Sequence, residues 1–150
     1  MGTLEEDERA RREREEAERR AREEEARRAA RRNEINNRIN TLNGEINDLN
    51  NEISQYISMK NKINQALPKL NYGKSNVNQG RNELKSAYTS QTAKNKDRDF
   101  QDIIINVGNI INNLNNSILP AINSKINELN NEIQSKNNEI SSLRNELSSL

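Results

Sequence analysis

The residues able to do chemistry are few and of one kind. The chain contains no His and no Cys. The usual zinc, haem and iron–sulfur ligand sets are therefore missing, as are Cys–His nucleophiles and Ser–His–Asp triads. Carboxylates remain. From Asn33 onward they are Glu34, Glu45, Asp48, Glu52, Glu83, Asp97, Asp99, Asp102, Glu128, Glu132, Glu139 and Glu146, mostly isolated on expected helix exteriors rather than paired for acid–base work. Asp97, Asp99 and Asp102 are close enough in sequence to hold Ca²⁺. They lack the DxDxDG spacing and a distal Glu, so capping of a following helix by Asp97 or Asp99 is the favoured reading. The glycines are scattered and cradle no phosphate. Tyr56, Tyr72 and Tyr88 recur every 16 residues and suit packing better than base stacking. No catalytic, cofactor-binding or metal site emerges, and the expectation is a non-enzyme without a cofactor.

Composition says what the elements can be. The 150 residues are 31% apolar, 31% charged and 3% aromatic, with a mean hydropathy of −1.15. Such a chain is one domain or less and cannot fill a globular core several layers thick. It must be elongated, paired or partly disordered. Without cysteine no disulfide forms and the redox compartment is unreadable. No run of about 18 apolar residues and no apolar segment after the start points to a membrane span or to Sec export.

The net charge of +1 hides a sharp change at Arg32. Residues 1–32 hold eleven Arg, eleven acids, no Lys and no Asn; from Asn33 there are 28 Asn, nine Lys and four Arg in 118 residues. Two coding sources joined as a fusion explain so abrupt a switch, with residues 1–3 an expression scar. Residues 4–32 read as a charged single α-helix. Glu5–Arg9, Asp7–Arg11, Glu8–Arg12, Glu15–Arg19, Glu16–Arg20, Glu18–Arg22, Glu23–Arg27 and Glu24–Arg28 are favourable i,i+4 pairs, each contributing about 0.2–0.5 kcal/mol. This segment resembles the ER/K-type helices that serve as spacers. Its interleaved acids cancel the field that a nucleic-acid or membrane arm needs, so neither partner is expected.

From Ile35 the apolar steps are 4,3,4,3,4,3 through Ile39, Leu42, Ile46, Leu49, Ile53 and Tyr56. That is a heptad seam of about three repeats, and it stops where the charged segment begins. A second seam runs through Ile126, Leu129, Ile133, Lys136, Ile140, Leu143, Leu147 and Leu150. Upstream, Ile111, Leu114, Ile118 and Ile122 fit a hendecad, where the supercoil should relax. Pro68 is expected to end or kink the first arm, with Gly73 and Gly80 weakening any helix beyond it. The polar run Thr89–Asp97 reads as a loop. Folding Leu150 back beside Asn33 puts the midpoint near Thr92 and brings Pro120 to about the level of Pro68. The expected fold is all-α: an antiparallel helical hairpin with a coiled-coil base in residues 33–150. Its arm one is about 33–90, its tip about 91–98 and its arm two about 99–150.

Two helices bury only a stripe, and the second arm is wider in apolar surface than that. Phe100, Ile103, Ile104, Val107, Ile110, Ile111, Leu114 and Ile118 form the candidate partner interface. Another protein's helices, or self-association into a four-helix bundle, would cover it. Insertion of residues 103–122 into a membrane is disfavoured, since their companions are Asn rather than Lys or Arg.

The layout of residues 33–150 resembles the YwqH-like helical hairpins of Gram-positive bacteria, which are linked to type VII secretion and related in shape to WXG proteins. The likeness lies in Ile39-Asn40-Thr41-Leu42-Asn43-Gly44-Glu45-Ile46, in the polar middle around Asn71-Tyr72-Gly73 and Asn76–Leu84, and in Ile126-Asn127-Glu128-Leu129-Asn130-Asn131-Glu132-Ile133. The Trp-x-Gly turn is absent, with Tyr72-Gly73 nearby. The resemblance implies an adaptor or chaperone-like targeting factor that pairs with the helical domain of a secreted toxin, in the cytoplasm or exported by the type VII system. A self-assembling coiled-coil rod or spacer is the alternative, and a helical membrane-active toxin fragment the third reading.

Overall fold

The computed structural model describes residues 2–87 and 91–150. It is an all-α antiparallel helical hairpin, with no strand among the described residues. Helix α1 runs Leu4–Ala87, α2 runs Gln91–Asn113, a π-helical segment spans Leu114–Ile118 and α3 runs Leu119–Ser149.

Helix α1 opens on a capping box. The Glu6 N–H donates to Thr3 Oγ1 at 3.3 Å, while the Thr3 N–H donates to the Glu6 carboxylate at 3.1 Å. Two donors that lack intrahelical partners are satisfied reciprocally, and Glu5, Glu6 and Asp7 face the positive end of the helix dipole. Thr3 therefore belongs to the helix start and is not an inert leader. From Leu4 to Ala30 every residue except Glu24 is exposed, so local pairing must hold the helix. Glu8–Arg12 (3.8 Å), Glu16–Arg20 (2.5 Å), Glu18–Arg22 (3.5 Å) and Glu24–Arg28 (3.3 Å) close as expected. Arg27 also reaches Glu24, one turn back.

Clustering of the fold gives two compact units. The first joins residues 1–47 to 133–150. Its core is Ile35, Ile39, Leu42 and Ile140, with Ile46, Leu143, Leu147 and Leu150 packed against it. Leu42 and Ile35 are the most enclosed, at 0% and 1% exposure. These are the apolar positions of the two expected seams, brought face to face.

The second unit is residues 48–132. Its buried residues are Ile53, Ile111, Ile122 and Leu129. The half-buried stripe on α1 continues through Tyr56, Lys60, Ile63, Leu67, Leu70, Lys74, Val77, Arg81 and Leu84, stepping by threes and fours throughout. The seam therefore does not stop at Tyr56. Helix α1 also passes Pro68, Gly73 and Gly80 without a break, contrary to the expectation that Pro68 ends the arm. Apolar residues on either side of the proline keep facing inward, and packing of that stripe offsets the missing Asn64–Pro68 backbone bond.

The irregularity falls on the returning arm alone. Leu119 donates its N–H to the Leu114 carbonyl, five residues back, and Pro120, which has no N–H, follows at once. Inward positions Leu114, Ile118, Ile122 and Ile126 take three consecutive steps of four where heptads alternate four and three. The arm thus carries one residue too many, and a π turn is the local structure that absorbs one extra residue.

Residues 91–97, expected in the tip loop, are instead the first turns of α2. The Gln91 side-chain amide donates to Asn95 Oδ1 across one turn at 3.3 Å. The rest of the expected loop, Thr89 and Ser90, lies outside the described residues.

Candidate interaction surface

Charged side chains clasp the two arms together in both units. In the first unit Arg31 donates two parallel bonds to Glu146, Nε to Oε1 at 2.7 Å and Nη2 to Oε2 at 2.9 Å, and also meets Glu34. Its neighbour Arg32 donates to the Leu150 carbonyl at 2.9 Å. Both arginines stand on the charged side of the composition change, and α1 crosses that change unbroken. The first turn of packing thus begins before Asn33. Arg38 makes a second fork with Glu139 at 2.9 and 3.3 Å, and Lys136 donates to Glu45 at 2.8 Å. The bonds from Arg31 and Lys136 hold the carboxyls of Glu146 and Glu45 below their ordinary range. Reciprocally, Glu146 raises the Arg31 guanidinium and Glu139 that of Arg38.

In the second unit Arg81 Nε donates to Asp97 Oδ1 at 2.6 Å, and Lys85 Nζ lies 3.7 Å from Oδ2. The Asp97 side chain is only 17% exposed. The Arg81 bond depresses its pKa, with the charges of Arg81 and Lys85 adding to it. This corrects the reading of Asp97 as a helix cap: it lies nearly two turns inside α2, and its carboxylate is engaged by two cations. Among the described residues no cluster of three or more acids could hold a metal.

The two expected seams are inward throughout. Ile35, Ile39, Leu42, Ile53, Leu129 and Ile140 are buried, and Ile46, Leu49, Ile126, Ile133, Leu143 and Leu147 half-buried. The candidate partner interface divides. Ile111 is buried, while Phe100, Ile104, Val107, Leu114 and Ile118 are half-buried on the inward stripe. Phe100 shares a shallow groove with Gly80, Leu84, Ala87 and Lys96. Only Ile103 and Ile110 stand exposed, at 45% and 51%. The eight residues are therefore not one outward surface, because helix periodicity at 100° per residue turns most of them toward α1. Ile103 and Ile110 are seven residues apart on one flank of α2, next to Val107 and Leu114. Ile105, also exposed, lies on the opposite flank.

Sequence reasoning missed Lys60, Lys74 and Arg81 on the inward stripe of α1. Counting on in threes and fours past Tyr56 reaches each of them, but their charge hides the period. Lys74 is accommodated opposite a glycine: a Cβ at Gly108 would stand 3.4 Å from its Nζ.

Comparison with protein-family models, with curated proteins and with solved structures finds no match. No helix among the described residues is long and apolar enough to cross a membrane.

Proposed function

We propose that the chain is a non-enzymatic helical protein–protein interaction module that recognises other helices by apolar packing along α2. The observation that supports this reading most is the exposed pair Ile103 and Ile110, one heptad apart. They lie in a stretch, residues 103–124, that contains no charged side chain. Water-exposed Ile at that spacing is an unfinished helix-packing row, and helix-on-helix docking is what completes such a row. The resemblance to YwqH-like hairpins makes the helical domain of a type VII-secreted toxin the partner class. An adaptor of that kind acts in the cytoplasm or leaves the cell with its cargo.

Size-exclusion chromatography with a purified helical domain of such a toxin tests the reading. Co-elution that is lost in Ile103→Asn/Ile110→Asn supports it. Failure to co-elute, or co-elution indifferent to the two substitutions, overturns the adaptor. The second reading is a self-assembling coiled-coil rod or spacer. It is favoured by the seam, whose heptad grammar continues along α1 as far as Leu84.

A further inference from the structure

We propose that a second copy of this chain covers the α2 row Ile103, Val107, Ile110 and Leu114. The two copies run antiparallel about a two-fold axis passing between Asn106 and Val107. The inference rests on the reading of that row as a docking surface and names its occupant; any foreign helix using the row competes with the second copy.

Three observations converge on self-pairing. The first is symmetry. In a two-fold contact residue i meets j and j meets i. With Ile103 and Ile110 the exposed apolar residues of the row, an antiparallel copy seats Ile103 on the partner's Ile110 and Ile110 on the partner's Ile103. One exchange satisfies both.

The second is charge. Lys94, Lys96, Asp97, Arg98, Asp99 and Asp102 precede the row, and residues 103–124 carry no charge. About the stated axis the charged residues 94–102 of one copy fall opposite residues 111–119 of the other. No charge is set against a like charge, and the row offers an acidic or basic partner nothing to complement.

The third is area. The chain exposes 11354 Å², where a compact monomer of its mass exposes about 7,800 Å². The solvated helix Leu4–Ala30 accounts for part of the excess. What remains is helix surface, and a standard interface removes about 1,600 Å² in total from the two partners.

The absence of native cysteine makes the geometry directly testable in the full chain. Ile103→Cys and Ile110→Cys are prepared separately, and the two proteins are oxidised alone and as a mixture. In the proposed pairing residue 103 lies opposite residue 110, whereas like residues are offset by about 10 Å along the helix, beyond the roughly 7 Å that a disulfide spans between Cα atoms. The mixture should cross-link roughly fivefold or more above either protein alone. Equal cross-linking of each single variant, or none in the mixture, overturns the arrangement.

Light scattering of the unsubstituted chain should give twice 17.3 kDa at tens of micromolar. Ile103→Asn/Ile110→Asn should return it to a monomer of unchanged helicity by circular dichroism. An assembly whose mass is indifferent to those substitutions overturns the proposal. So does a monomer that co-elutes with a toxin's helical domain, which would leave the docking row standing. A dimer that fails to bind any such domain separates the two ideas the other way: self-pairing stands and the adaptor falls.

Discussion

Leu42 and Ile35 are enclosed to within 1% of their surface, so truncation there must leave a void instead of a side chain relaxed into solvent. Leu42→Ala should cost about 3 kcal/mol, and urea unfolding followed by circular dichroism measures it. Ile57→Ala, at a residue 44% exposed, should cost less than about 1 kcal/mol by the same measurement. Gly73 and Gly80 make the opposite prediction. Both are inside α1, and a Cβ at either meets nothing within 4 Å. Gly73→Ala and Gly80→Ala should each stabilise by about 0.5–1 kcal/mol, because alanine lowers the entropy of the unfolded chain without straining the helix. An unchanged or lowered midpoint would show that the open space around these positions is filled in solution. Thr3 shows how a residue can be legible and still be missed. The Thr-x-x-Glu signature is present in the sequence, but it sits within three residues of the start and reads as an inert leader.

Helices as elements were readable because their period is written in Ile and Leu. The base seams in residues 35–53 and 126–147 needed no structure to find. Past Tyr56 the same period is carried partly by Lys60, Lys74 and Arg81, whose apolar stems line a seam while their charges reach the edge. A pattern search that counts only apolar residues loses them. Pro68 and Pro120 illustrate a second limit. Both are prolines inside helices, yet a π turn forms only beside Pro120. The difference lies in phase: the α1 stripe keeps its inward period across Pro68, whereas the returning arm has one residue in excess between Ile118 and Ile122. Deleting Pro120 removes the proline and the excess residue together. The deletion variant should form an uninterrupted α-helix and gain about 1–3 kcal/mol, read as a higher urea midpoint. Pro120→Ala, which keeps the extra residue, should gain less and retain the π turn. Equal gains from both variants would show that phase is irrelevant and that proline alone causes the distortion.

The whole molecule is held by charge as well as by its stripe, and the sequence concealed this because a near-zero net charge says nothing about pairing across the hairpin. Composition gave the elongated all-α character, and periodicity gave the two seams. Neither could give Arg31 on Glu146, Lys136 on Glu45 or Arg81 on Asp97, since each pair joins residues that only the fold-back makes neighbours. These pairs carry a consequence in pH. Glu45 and Glu146 are lowered from 4.5, and Asp97 from 3.8, in each case first by the hydrogen bond from its cation. A carboxyl whose folded pKa lies below its unfolded value binds fewer protons in the native state. Its stabilisation is complete above the unfolded value and is lost as pH falls through the folded one. The melting temperature should therefore be flat between about pH 6 and 8 and fall from about pH 5 downward. Glu45→Gln/Asp97→Asn/Glu146→Gln should melt lower than the parent at neutral pH and lose less on acidification, bringing the two curves together near pH ~2. Thermal scans across that range decide the matter. A parent as stable in acid as at neutral pH, or a triple variant that falls in parallel with it, would show that the clasps do not persist in solution and that the apolar stripe alone holds the hairpin.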